Sequence, residues 1–189
     1  MSINKRALHW WSYPGLILLT GLYLWLRHWY LGALVTLYLV GVPVLAGQRL
    51  NFRVDRVDLC QALTFSFLIL GGVWFFFLVM GASFELPSVN RILFHVFVAA
   101  VPEEVYFRGF FQERLGNNLK AVFVVSVLFT LAHTPRMFIE GDLSAVLTFF
   151  PSLLMGGLYY KTGNLLHPIV FHALSNLLME STKGYYPLA

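Results

Sequence analysis

Long apolar segments separated by short polar turns make up almost the whole chain. Seven such segments are visible, and their lengths are close to the 20 or so residues that cross a bilayer as a helix. They do not alternate polar and apolar residues, as the strands of a membrane barrel would. The pattern therefore predicts about seven transmembrane helices, near residues 8–26, 29–46, 59–80, 89–115, 119–133, 144–160 and 165–179.

The composition supports this class of protein. The chain is 58% hydrophobic and 12% charged, and its mean hydropathy is +0.71. A soluble domain would be expected to carry about 25% charged residues. We therefore expect an all-α, polytopic membrane protein in which residues 1–189 form a single integral membrane domain.

The formal net charge of +4 does not indicate a nucleic-acid partner, because the basic residues stand singly between apolar segments. Their distribution instead predicts the topology, since cytoplasmic loops of membrane proteins are enriched in Lys and Arg. With the N-terminus in the cytoplasm, eight basic residues lie on the cytoplasmic side and four on the other. The eight are Lys5, Arg6, Arg49, Arg53, Arg56, Arg114, Lys120 and Lys161, and the four are Arg27, Arg91, Arg136 and Lys183.

Several weaker features receive simple interpretations. Cys60, the single cysteine, is expected to be a small buried residue. His167 is expected at the membrane interface, and residues 134–142 are expected to form a turn-rich linker. Gly156 and Gly157 in the sixth segment indicate a kink or a close contact between helices.

The fourth segment contains the sequence VPEEVYFRGFFQERL, in which Glu103, Glu104 and Arg108 lie well inside a helix that is otherwise mainly apolar. Each charge near the centre of a membrane helix costs about 3 kcal/mol, so these groups need partners. Glu104 and Arg108 are four residues apart and can pair on one face, whereas Glu103 points about 100° away. Glu103 is therefore free to face a cavity, although a purely structural ion-pair network of all three remains an alternative.

Two more helices carry polar groups at the same spacing. Phe129 and His133 are four residues apart in FTLAH, and His172 and Asn176 are four apart in HALSN. Taken alone, such groups are often interfacial or serve as hydrogen bonds between helices. The depth of each polar group can be counted along its helix from the polar turn at one membrane face. These depths suggest that the groups meet in one layer near mid-membrane. These depths are roughly 18 Å for Glu103, roughly 20 Å for His133, roughly 12 Å for His172 and roughly 18 Å for Asn176.

These motifs resemble the CAAX prenyl protease and bacteriocin-processing family of intramembrane endopeptidases. The chain contains E-E-x-x-x-R at Glu103, Glu104 and Arg108, then F-x-x-x-H at Phe129 and His133. The third motif, H-x-x-x-N, lies in the last segment, and the sequences FRGFFQERL and GGLYYKTGNLLHPIVFHALSN are also similar to the family. The resemblance covers a core of about residues 89–179.

The resemblance implies a glutamic-type intramembrane endopeptidase. Glu103 and His133 would activate a water, and His172 and Asn176 would stabilise the oxyanion. Arg108 and Glu104, with Phe129, would support the site, and no metal or other cofactor is implied. The expected partners are the lipid bilayer and a protein or peptide substrate, such as a C-terminal tail or a membrane-anchoring segment. The expected location is a prokaryotic cell membrane.

Two other functions are compatible with the same residues. Glu103, His133 and His172 could supply the two imidazoles and one carboxylate of a metal-dependent intramembrane protease, although the chain has no H-E-x-x-H motif. Alternatively, the polar cluster could only bind a partner, in a non-enzymatic membrane scaffold or immunity protein.

Overall fold

The protein is described here by a computed structural model that covers residues 5–183, with side chains from residue 10 onward. Within these residues the chain forms seven helices, which confirms the predicted all-α bundle. The topology prediction also uses the side chains of Lys5 and Arg6, which lie outside the described residues. The helices are α1 (Lys5–Leu26), α2 (Trp29–Leu45), α3 (Arg56–Val79), α4 (residues 89–112), α5 (Leu119–Glu140), α6 (Leu143–Thr162) and α7 (Leu166–Ser181).

Three of the described helices, α3, α5 and α6, are each long and apolar enough to cross a membrane. The shorter α2 is also strongly apolar. On α3 the large side chains of Phe67, Leu68 and Phe75 are exposed, and the helix packs on the bundle through α7. A helix whose outer surface is this apolar is stable next to lipid, so the bundle is that of an integral membrane protein.

Helix α4 alternates between two helical forms. Val89–Leu93 and Val101–Glu104 are α-helical, whereas Phe94–Ala100 and Val105–Gln112 form wider π-helical turns. Pro102 has no N–H to donate, and it lies at the junction where the first π-helical segment ends. Every residue of Val105–Gln112 is buried, so the charged segment of α4 runs through the centre of the bundle.

The linker predicted for residues 134–142 is wrong, because α5 continues to Glu140. Pro135 lacks the N–H that would normally bond to the carbonyl of Leu131, which is why the sequence indicated a helix end. The Thr134 hydroxyl donates to that carbonyl at 2.7 Å instead. The carbonyl of Leu131 therefore keeps a hydrogen-bond donor, and the helix continues past its proline.

The loop between α2 and α3 is attached to the turn between α6 and α7. The buried Asn164 side chain accepts a hydrogen bond from the Arg53 amide at 3.1 Å and donates to the Arg53 carbonyl at 3.0 Å. The Asn51 amide group donates to the Gly163 carbonyl at 2.5 Å. These contacts define one end of the bundle.

A two-stranded antiparallel ladder lies at the other end. Strand β1 (Ser83–Phe84) pairs with β2 (Thr182–Lys183), with Ser83 opposite Lys183 and Phe84 opposite Thr182. The ladder ties the α3–α4 connection to the end of α7. It adds a small sheet to the bundle that the apolar pattern did not predict.

The simple interpretation of Cys60 as a buried residue is also wrong. Cys60 is exposed, because it lies on α3, which packs on the rest of the bundle through only part of its surface. His167, at the start of α7, is 2% exposed, so it is covered by protein. Its Nε2 atom lies 3.9 Å from the Asp58 carboxylate of α3, and the amide of neighbouring Leu165 donates to the Asn51 carbonyl at 2.9 Å. The α2–α3 loop therefore covers the start of α7.

Candidate active site

A half-open cavity of about 610 Å³ lies between the helices of the bundle, and every helix except α3 contributes to its wall. The side chains of Glu103 from α4, His133 from α5, and His172 and Asn176 from α7 all line it. Much of the remaining wall is apolar, with Phe107 among the lining residues. Polar groups from three helices thus converge on one space within the membrane domain.

One carboxylate oxygen of Glu103 faces both imidazoles. Its Oε2 atom lies 4.0 Å from His133 Nε2 and 3.8 Å from His172 Nε2. These separations are too long for direct hydrogen bonds, and they suit a small molecule such as water held between the three groups. The same Oε2 atom is buried and makes no hydrogen bond to any described residue. The Oε2 atom is therefore an unpaired acceptor beside the two imidazoles.

A fully buried pair lies behind Glu103. Arg108 and Glu104 are both 0% exposed, and Arg108 Nη1 donates to Glu104 Oε1 at 3.1 Å. The other terminal nitrogen of Arg108 donates to Ser152 on α6, to its carbonyl at 2.9 Å and to its hydroxyl at 2.7 Å. The guanidinium also lies over the Phe129 ring, 4.9 Å from its centroid. Arg108 therefore joins α4, α5 and α6, and a buried charge needs this many partners.

Each imidazole is oriented through its Nδ1 atom. His133 Nδ1 lies 2.8 Å from the Phe129 carbonyl, one turn earlier on α5. His172 Nδ1 lies 2.7 Å from Glu104 Oε1. The Phe129 ring packs between them, with its centroid 4.6 Å from that of His133 and 5.8 Å from that of His172. Both rings thus present Nε2 to the cavity.

A family model described as type II CAAX prenyl endopeptidase, Rce1-like, matches residues 85–178. The chain belongs to this family. Neither a curated protein nor a solved structure matches the chain.

Membership makes the protein a CAAX-protease-like hydrolase, an endopeptidase of the membrane whose substrate is a protein or peptide. The matched residues run from the connection before α4 to near the end of α7. They therefore include all the cavity-lining residues of α4, α5 and α6. Helices α1 to α3 lie outside the match, and of these α1 and α2 close the cavity on its remaining side.

Sequence reasoning missed Ser152, which binds Arg108 through both its hydroxyl and its carbonyl. A serine in an apolar helix has no distinctive motif, and its hydroxyl often bonds within its own helix. The only feature of the sequence that could have drawn attention to Ser152 is its position one residue after Pro151 in α6. The contact itself joins residues 44 positions apart, so only the fold brings it about.

A second polar layer lies farther along the same cavity. Glu180 on α7 pairs with Arg91 on α4, with Nε to Oε1 at 2.6 Å, and also contacts the His95 ring. His172, Asn176 and Glu180 recur every four residues on α7 and all line the cavity. This spacing is visible in the sequence, but the sequence analysis did not include Glu180 in the site.

Arg27 at the α1–α2 turn also lines the cavity in this region, and it pairs with Glu140 at 2.8 Å. The cavity therefore extends from Glu103 toward the end of the bundle that carries the β-ladder. In the part of the chain that the structure describes, no three His, Cys, Asp or Glu side chains are arranged to hold a metal ion.

Proposed function

We propose that the protein is a glutamate-dependent intramembrane endopeptidase in which Glu103 and His133 activate a water. The observation that carries this proposal is the position of Glu103 Oε2, within 4.0 Å of the Nε2 atoms of His133 and His172, at the wall of one cavity. A carboxylate and an imidazole around one small space can hold a water and accept its proton.

The reaction follows from these positions. A water between Glu103 and His133 attacks the carbonyl carbon of the scissile peptide bond and gives its proton to this pair. The negative charge that forms on the carbonyl oxygen is stabilised by donors from His172 and Asn176 on α7. The C–N bond then breaks, and the accepted proton passes to the leaving nitrogen. The products are a carboxylate and an amine.

Glu104, Arg108 and Phe129 support this site in our proposal. Glu104 and Arg108 are completely buried and do not line the cavity. They instead connect α4 to His172 on α7 and to Ser152 on α6, two helices that form the cavity wall. Phe129 packs against both imidazoles and below the guanidinium. We propose no metal or other cofactor. Full activity of purified protein in a strong chelator would agree with this, whereas loss of activity that zinc restores would indicate the metal-dependent alternative.

We propose that the protein lies in a prokaryotic cell membrane with its N-terminus in the cytoplasm. The distribution of basic residues supports this orientation. On the end of the bundle that carries the β-ladder, Arg27, Arg91 and Arg136 are each paired with a carboxylate. The substrate would be a C-terminal tail or a membrane-anchoring segment that reaches the cavity.

The experiment compares membrane proteins and peptides by mass spectrometry in cells that contain the wild-type protein or Glu103→Ala. We expect new termini only with the wild type, and these would identify the substrate. Glu113→Ala is the matched control, because this carboxylate is on the same segment but does not line the cavity. Identical termini with wild type and Glu103→Ala, together with an unchanged biological effect, would favour the non-enzymatic scaffold or immunity protein.

A further inference from the structure

The two imidazoles that face Glu103 differ in what their other nitrogen contacts. His133 Nδ1 bonds to a backbone carbonyl, that of Phe129 at 2.8 Å. His172 Nδ1 bonds to the Glu104 carboxylate at 2.7 Å. A carbonyl and a carboxylate can only accept hydrogen bonds, so in both histidines Nδ1 carries the hydrogen.

This arrangement limits what each Nε2 atom can do. A neutral imidazole has one N–H, and here Nδ1 uses it, so Nε2 of a neutral ring is a bare acceptor. An acceptor suits His133, which has to draw a proton from water. A donor is needed beside an oxyanion, and His172 can donate from Nε2 only when it is an imidazolium.

The charges in the site indicate which ring carries the extra proton. Glu103, Glu104 and Arg108 together leave one negative charge in excess, and Ser152, which binds the arginine from α6, is neutral. One imidazolium makes this group neutral, whereas two would leave a net positive charge. Excess charge is costly where water is scarce, so a single imidazolium is favoured.

His172 is the better position for that charge. It faces two carboxylates, Glu104 at 2.7 Å and Glu103 at 3.8 Å, and the same Glu104 oxygen also accepts from Arg108 at 3.1 Å. His133 faces one carboxylate, Glu103 at 4.0 Å, and its other nitrogen is on a neutral carbonyl. An opposite charge close by stabilises the protonated ring, and its effect rises as the distance falls.

We propose that His172 is a standing imidazolium that donates to the oxyanion, that His133 is neutral, and that Glu104 is the positioning residue that keeps the charge on His172. This deepens the proposed function and rests on it. The two histidines thus have opposite protonation states although they present the same atom to the same carboxylate. Glu104 acts through His172, and Arg108 in turn holds Glu104 at 3.1 Å.

Nitrogen-15 NMR of histidine-labelled protein near neutral pH tests this without measuring cleavage. His133→Gln and His172→Gln assign the two rings. We expect the wild-type signals of His172 to be those of a doubly protonated ring and the signals of His133 to be those of the neutral Nδ1–H form. In Glu104→Gln, whose amide oxygen can still accept from Nδ1, His172 should become neutral. A neutral His172 in the wild type, or a charged His133, would overturn the proposal.

Kinetics give a second readout. Glu104→Gln should lower kcat about 100-fold, the effect of losing an oxyanion donor, with KM changed less than about 3-fold. Glu104→Asp keeps the charge and should recover part of the rate. If Glu104→Gln fails to fold, the wild-type NMR spectra still decide the question. If Glu103→Ala remains fully active, the proposed function fails instead, whatever charge His172 carries.

Discussion

At the scale of single residues, the contacts of the two terminal nitrogens of Arg108 explain how a full charge is tolerated inside the bundle. Its two terminal nitrogens divide their bonds between Glu104 and Ser152, and the Phe129 ring covers one face of the guanidinium. A lysine has one point charge and could not reach both partners in this planar geometry. Position 108 therefore requires the planar shape of arginine as well as its charge.

Ser152→Ala tests this support. The change removes the hydroxyl that accepts from Arg108 at 2.7 Å, and we expect a loss of about 1.5–3 kcal/mol of stability together with lower activity. Ser126→Ala is the matched control, because that buried hydroxyl bonds only to Val122 in its own helix. Thermal unfolding in one detergent gives the comparison. Equal effects of the two substitutions would mean that the Ser152 hydroxyl contributes nothing special to holding Arg108.

Local spacing could predict some of these contacts and not others. Glu104 and Arg108 are four residues apart on one helix, so their pairing followed from helical geometry alone. The bond between His172 and Glu104 joins residues 68 positions apart, and the sequence could predict only a shared depth. The sequence also assigned Glu104 to Arg108 alone, whereas the fold makes it a partner of both.

At the scale of helices, close packing of α6 on its neighbours depends on one glycine. A methyl group on Gly156 would lie 2.9 Å from Val122 on α5 and 3.2 Å from the Gln112 side chain on α4. A methyl group on Gly157 would meet nothing within 4 Å. The sequence indicated a kink or a close helix contact at these glycines, and the structure shows the close contact at Gly156.

This difference makes the two glycines a matched pair. Gly156→Ala should destabilise the protein by about 1–3 kcal/mol, because the added methyl forces α5 and α6 apart. Gly157→Ala should be neutral or stabilising by up to about 1 kcal/mol, since alanine favours a helix. The measurement is the unfolding midpoint of each variant in the same detergent. A larger loss for Gly157→Ala would contradict the packing described here.

At the same scale, helix α5 shows why an element boundary could not be predicted. Pro135 is a strong signal for the end of a helix, because it removes one hydrogen bond and disfavours the helical form before it. The signal fails here because the preceding residue, Thr134, supplies the missing donor to Leu131. Whether such a hydroxyl turns back to its own helix depends on its rotamer and surroundings, which the sequence does not contain.

At the scale of the whole molecule, the class of fold was predictable because the membrane leaves few alternatives. Without water to satisfy the backbone, only helices or closed barrels can span lipid, and uninterrupted apolar segments select helices. The cavity was not predictable in the same way. Its far side is formed by α1 and α2, which carry no motif, through residues such as Leu16 and Leu39.

Chemical labelling tests the proposed orientation. In a Cys60→Ala background, Val54→Cys places a thiol in the α2–α3 loop and Leu86→Cys places one next to the β-ladder, and both positions are exposed. With the N-terminus in the cytoplasm, a membrane-impermeant maleimide should label Leu86→Cys in intact cells. It should label Val54→Cys only after the membrane is permeabilised. The reverse pattern would place the N-terminus outside.

The central claim is that Glu103 and His133 together activate the attacking water. The most direct measurement is cleavage, by the purified protein in the presence of a strong chelator, of a peptide that spans the cleavage site found by mass spectrometry. Glu103→Gln and His133→Ala should each lower kcat at least about 1,000-fold while the unfolding midpoint stays near that of the wild type. His28→Ala, at the exposed α1–α2 turn, should cleave normally. Wild-type rates in either Glu103→Gln or His133→Ala would contradict the claim.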